Sequence, residues 1–244
     1  MSDQPETRKK SRYGAETRYG MPAADQIIVN RHYTIGYSYY FRQAKWALEI
    51  VDEDMIEVPR LDTFRPDYRI PQRFRTDLAI YQRSGYDRGH LVASANQGES
   101  KIQNSETFLL SNMSPQKAKF NRGIWKELEG AVRELNAKPN VLETYVICGP
   151  VFNFDVPVKT LRTEGDKGNT LPIPHAFYKS VLIEDDKGRF RMWSFLMPNE
   201  ESKKPLKDFL VPTRKIERYS GLLLWEGLVG KEIDREKEKV RAMW

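Results

Sequence analysis

Tyr86-Asp87-Arg88-Gly89-His90 is followed downstream by Asn121, at the head of the strongest amphipathic stretch in the chain. His90 offers a base that titrates near neutrality, Arg88 a cation, and Asn121 a neutral oxygen for a hard metal. From Asn121 onward, Ile124, Trp125, Leu128, Val132 and Leu135 recur at three- and four-residue spacing. That period predicts a helix, stopped by Asn136 and Pro139. Upstream, Gly85 to Ser94 leads towards the core. The short apolar segment Glu106 to Leu110 is broken by Ser111-Asn112-Met113-Ser114-Pro115.

Further out the pattern alternates. His32 to Phe41 reads as a strand or hairpin, and Trp46 to Val51 continues it. Val141 to Phe152 reads as a buried strand. His175 to Ile183 and Phe190 to Met197 read as two strands joined around Asp186-Lys187-Gly188. Leu206 to Phe209 and Thr213 to Leu224 suggest a terminal helix and turn. The expected fold class is α/β (α+β), in one domain over residues 27–230. Residues 1–26 are polar and read as a mobile arm. Residues 231–244 read as a charged, helical tail whose side chains face solvent.

Composition narrows the function classes. The chain has 244 residues, of which 39% are hydrophobic and 30% charged, a soluble, globular balance. No apolar run reaches the length of a membrane span. The net charge of +6 suits a polyanionic partner without requiring one. A single cysteine, Cys148, excludes an intramolecular disulfide and a thiolate zinc site; it reads as a buried small hydrophobe. No apolar leader follows Met1, and Asp3 and Glu6 argue against an organellar transit peptide. The cytoplasm is therefore slightly favoured, with a removed leader left open.

Hydrolysis of a phosphodiester needs a base for the attacking water, cations for the charge growing on phosphorus oxygens, and stabilisation of the departing alkoxide. Of the three histidines, His32 lies in an aromatic stretch and His175 at a strand start, which leaves His90 as the candidate base. Asn121 could ligate magnesium or simply cap the helix. Glu129 could orient metal-bound water while Arg133 neutralises phosphate, or the two could pair on the surface at i, i+4.

The ordered series Tyr86 to Leu91, Ala95-Asn96, Thr107 to Asn112, Ser114-Pro115-Gln116, Asn121 through Glu129, Tyr145 to Phe152 and Pro174 to Lys179 resembles the DNA/RNA non-specific endonuclease family, nearest its mitochondrial endonuclease G branch. The likeness runs over roughly residues 27 to 225. It implies a mixed, largely antiparallel sheet flanked by helices, with a ββα-metal motif. It further implies His90 as general base, Asn121 as the magnesium ligand (manganese a possible substitute), Arg88 on phosphate, Glu129 in the metal's water shell and Arg133 at the scissile region. Asp87 and Asn112 would support the site. DNA and RNA are the implied substrates, giving 5′-phosphate and 3′-hydroxyl products, and a homodimer stays open. Arg122 stands where relatives often carry glutamine.

The loop before the motif holds Arg60, Arg65, Arg69, Arg73, Arg75 and Arg83, which could track a phosphate backbone, with Tyr68 and Tyr81 available for stacking. Two rival readings remain at this point: a catalytically inactive nucleic-acid-binding module of the same fold, and a small-molecule phosphodiesterase.

Overall fold

The computed structural model describes residues 14–51, 58–162 and 170–244. Its frame is a seven-stranded sheet, antiparallel at every pairing, in the order β1-β2-β3-β6-β9-β10-β11. In chain order these strands are β1 (Gln26–Val29), β2 (Tyr33–Ser38), β3 (Gln43–Ile50), β6 (Val141–Val151), β9 (Ala176–Asp185), β10 (Phe190–Pro198) and β11 (Leu210–Val211). A separate two-stranded ribbon joins β4 (Tyr86–His90) to β5 (Met113–Lys117), and a second joins β7 (Thr160–Arg162) to β8 (Thr170–Pro172). The helices are α1 (Lys101–Glu106), the short α2 (Ala118–Phe120), α3 (Lys126–Asn136), α4 (Thr213–Ser220) and α5 (Lys231–Glu238).

Alternation along the strands divides the core. On β9, Phe177, Val181 and Ile183 join the layer that includes Leu128 and Val132 of α3, while Tyr178 and Leu182 join the layer of Ile216, Leu224 and Trp225. Successive residues of a strand face opposite sides, so one strand feeds both layers. Both faces are therefore covered, and β6 and β9 read as nearly continuous apolar runs for that reason.

Two expectations at the chain's ends need correction. The polar arm does not extend through residue 26. From Gly14 the backbone turns through a short 3-10 helix, Glu16 is buried beneath a hydrogen bond from Thr34, and the Tyr19 hydroxyl donates to Glu184 at 2.6 Å. Tyr19 also packs edge-on against Tyr145 and Phe190. Apolar ring burial outweighs the polar composition of the segment; residues 1–13 lie outside the described residues. The C-terminal segment is not a solvated tail either. It is helical only to Glu238, Lys237 is buried against Glu217 and the Leu224 carbonyl, and Trp244 donates its Nε1 to the Ala131 carbonyl of α3.

Candidate active site

The β4–β5 ribbon carries the diagnostic segment. Asp87 pairs with Gln116, Arg88 with Pro115, Gly89 with Ser114 and His90 with Met113. Gly89 lets the ribbon close over the Gln116 side chain, which any Cβ at that position would have to displace. Chain direction after His90 is set by Asn112. Its carbonyl receives Leu91 N–H, its Oδ1 receives Val92 N–H at 3.0 Å, and its Nδ2 donates to the Val92 and Thr107 carbonyls. Asn112 is fully buried and committed to backbone.

The ribbon meets α3 through a widened turn. Residues Asn121–Trp125 form a π turn, and Gly123 sits at φ −103° and ψ −113°, outside helical space. Such single π turns inside helices recur at functional sites. The turn does not use Asn121 as a cap. Its Nδ2 instead donates to Asp87 Oδ2 at 2.9 Å, and no capping bond forms. Asp87 also takes two hydrogen bonds from Arg122, at 2.9 and 2.8 Å. Burial opposes ionisation of Asp87, but the hydrogen bonds from Arg122 and Asn121 outweigh it and hold the carboxyl below its ordinary value. The Asn121 amide nitrogen is thereby committed, and its carbonyl oxygen is the end left for a ligand.

Ribbon, π turn and α3 border an open cleft of about 1050 Å³, whose walls include Arg88, His90, Asn121, Glu129 and Arg133. Asp87 also lines it, whereas buried Asn112 does not. His90 is half-buried, with its ring 5.9 Å from Phe64 and 5.0 Å from Phe108, both edge-on. Its Nε2 is sealed from solvent without a hydrogen bond. Burial, then the Arg60 cation, push the imidazole down to about 3, so it is neutral in the free protein at neutral pH. The Arg88 guanidinium lies 4.0 Å from the centre of the Phe64 ring, a cation–π contact that fixes an otherwise exposed side chain.

Glu129 and Arg133 do not form the surface pair that their spacing permits. Arg133 Nη1 donates to Asn96 Oδ1 at 2.9 Å. Glu129 makes no hydrogen bond among the described residues, yet Lys179, Arg133, Lys126 and Arg60 surround it electrostatically. Burial lifts its carboxyl above the ordinary value against that field.

The loop arginines mostly serve the fold. Arg65 bonds the Thr63 and Ser105 carbonyls, and Arg69 binds Asp67, Asn30 and the Val29 carbonyl. Of the six, only Arg60 borders the cleft, paired with Asp62. Tyr81 is largely buried in the cleft wall, and Tyr68 is exposed with the Arg75 guanidinium over its ring. His175 accepts from Asn153 N–H and lies outside the cleft wall. Cys148 is buried, donating to the Leu91 carbonyl.

Two cleft residues, Lys126 and Phe64, carry no local signal in the sequence. Behind the cleft, buried Glu49 of β3 and Lys179 of β9 sit at strand positions where an apolar residue is the norm. A charge in the middle of a buried strand is the one sign that could have singled out the last two.

The DNA/RNA non-specific endonuclease family model matches residues 12–230. Mitochondrial endonuclease G of Caenorhabditis elegans is 31% identical, covering 96% of this chain and 80% of that protein. Nuclease C1 of Cunninghamella echinulata var. echinulata is 33% identical over 86% of this chain and 87% of its own. Human mitochondrial endonuclease G is 32% identical over 89% of this chain and 75% of its own. A solved structure of EndoG in complex with EndoGI superposes with a TM-score of 0.78 at 31% identity, over 88% of this chain and 91% of that one. The slight preference for the cytoplasm is overturned, since the endonuclease G relatives and the nucleases of Schizosaccharomyces pombe and Saccharomyces cerevisiae are named as mitochondrial. Acidic residues near Met1 were a weak guide to destination, because an address is read by receptors and not by the fold. With the family matched over most of its length and relatives named as nucleases, the chain is a nuclease that belongs to the DNA/RNA non-specific endonuclease family.

Proposed function

We propose that the protein is a magnesium-dependent endonuclease that cuts DNA and RNA with little sequence preference, leaving 5′-phosphate and 3′-hydroxyl ends, in a mitochondrial setting like that of its named relatives. The observation that carries this reading is the shared cleft: a neutral imidazole, an asparagine whose nitrogen is held by Asp87, and an unbonded glutamate, with arginines around them.

The donor set suits a hard cation that keeps most of its water. Among the described residues no cluster of three or more His, Cys, Asp or Glu forms. Asn121 Oδ1 would be the direct ligand, and Glu129 would reach the ion's waters, which its lack of a direct partner leaves it free to do. Lewis-acid stabilisation of the charge growing on the phosphate and the leaving oxygen is what a bound magnesium adds there.

The chain's own residues supply the rest. His90 accepts the proton of the attacking water at Nδ1, because Nε2 is sealed behind the ring wall. A phosphodiester entering beside Arg60 and Arg88 offsets the positive field that depresses the imidazole, so the base strengthens as substrate binds. Arg88 and Arg133 neutralise phosphate charge, Arg88 from a guanidinium fixed over Phe64. Contacts of this kind read backbone and not base edges, which accounts for weak sequence preference.

A plasmid incubated with magnesium is expected to be nicked and then fragmented internally, and excess chelator should stop the reaction. Full activity in chelator would overturn the metal assignment. Release of mononucleotides without internal cuts would overturn the endonuclease.

The low value for His90 gives a second expectation. In the unfolded chain the ring protonates from about 6.5, whereas in the folded protein it stays neutral until about 3. Between those values the unfolded state binds more protons, so the contribution of His90 to stability falls as pH falls through that window. An NMR titration of the ring in the free protein should therefore show no midpoint near 6.5; finding one there would show that the imidazole is not buried as described.

A further inference from the structure

The residues that contact Arg133 lead away from the cleft to a carboxylate inside the sheet. Glu49 lies on β3 with Ala47 on the face that packs in the layer of α3, and it is 1% exposed. A carboxylate at such a position is costly unless its oxygens are satisfied. Asn96 Nδ2 donates to Glu49 Oε1 at 3.0 Å, and Gln97 Nε2 donates to Oε2 at 3.2 Å. No cation pairs with Glu49 at salt-bridge distance among the described residues. The charged and titratable groups facing it are Lys179 on β9, Cys148 on β6 and Glu129 on α3. Lys179 Nζ is held 4.5 Å from the centre of the Trp125 ring.

The chain of bonds has a direction. Asn96 turns its NH₂ towards Glu49, and in its ionised form the carboxylate can only accept, which holds the amide that way round. Its carbonyl oxygen is then forced to face the other way, where it receives Arg133 Nη1 at 2.9 Å. A flipped amide would present NH₂ to a guanidinium, donor against donor. Gln97 is polarised in the same sense: its Nε2 faces Glu49 and its Oε1 accepts from Gln103 at 2.8 Å.

We propose that Glu49 is a positioning residue for the cleavage reaction, fixing the Asn96 amide so that Asn96 Oδ1 holds the Arg133 guanidinium at the scissile phosphate. This rests on the reading of Arg133 given above. Glu49 touches neither substrate nor reacting atoms; it acts through one neutral amide on one cation. Burial lifts the carboxyl to about 7, opposed by Lys179 and the two amides, so the amide is held most firmly above that pH, where the carboxylate is ionised.

The test is a double-variant cycle on one oligonucleotide duplex with magnesium, reading kcat, KM and the melting temperature of each full-length variant. Asn96→Ala should lower kcat by about 10-fold, the loss typical of an outer-shell partner. KM should stay within about 2-fold, because a transition-state contact and not ground-state binding is lost. In an Arg133→Ala background, Asn96→Ala should cost nothing further, since residues that act as one unit are not additive. Glu49→Leu should reproduce the Asn96→Ala defect, and Glu49→Gln should restore most of it, because the glutamine carbonyl can still receive Asn96 Nδ2. If Glu49→Leu fails to fold, the Asn96 and Arg133 variants and Glu49→Gln still decide the matter. Additive losses in the double variant, or a parental kcat for Asn96→Ala while Arg133→Ala is slow, would overturn the positioning role alone. A parental kcat for Arg133→Ala would instead show that the reading of Arg133 is wrong, and the positioning role would fall with it.

Discussion

Replacing His90 by alanine is expected to slow cleavage of a magnesium-supplemented plasmid by about 10²- to 10⁴-fold, the range a positioned general base contributes. The physical reason lies in the combination of place and state. The imidazole is neutral in the free protein, because burial and Arg60 oppose its protonation, so it holds an unshared pair ready for a proton. Its ring is braced by Phe64 and Phe108, so it enters the reaction without having to be ordered first. No other histidine borders the cleft among the described residues, so no second imidazole can take over. Added imidazole should recover part of the lost rate, because it restores the base without restoring its anchorage. Circular dichroism and the melting temperature of the variant separate lost chemistry from lost fold. Cleavage at the parental rate by a folded His90→Ala protein would remove His90 from the reaction.

Asn121→Ala carries the second large effect. The substitution removes the only protein oxygen assigned directly to magnesium and at the same time strips Asp87 of one of its donors. Changes to outer-shell partners of metals cost about 10- to 100-fold in affinity or activity, so loss of the ligand itself should reach at least the upper end of that range. The loss should be strongest at low magnesium, and the concentration needed for half-maximal rate should rise. Asp87 keeps its two bonds to Arg122, so the ribbon stays anchored and the melting temperature should change little. A magnesium titration of the variant that overlays the parent's would show that the ion is held elsewhere.

Much of the frame was legible in the chain. Apolar runs over residues 141–152, 175–183 and 190–197 became β6, β9 and β10 because a strand buried on both faces is predominantly apolar. The period from Ile124 to Leu135 became the buried face of the π turn and α3. Boundaries were less legible where tertiary contacts override composition. Tyr19 and Trp244 are single rings in polar segments, and each is placed by rings from distant parts of the chain that only the assembled sheet brings together.

The candidate site divides along the same line. Side-chain chemistry and chain order offered His90, Arg88, Asn121, Glu129 and Arg133 as candidates, and the family resemblance, not residue type alone, gave them roles. Their relation in space was not in the spacing. The π turn at Gly123 breaks the helical phase between Asn121 and α3, so counting along an unbroken helix could not tell where Glu129 and Arg133 point. Hydrogen bonds between residues distant in sequence decided the rest: Asp87 turned Asn121 away from capping, and Glu49, through Asn96, drew Arg133 away from Glu129. Sequence thus determined which functional groups the protein owns, and tertiary structure decided which way each of them faces, because buried amides and carboxylates turn towards the donors and acceptors that the fold brings within reach.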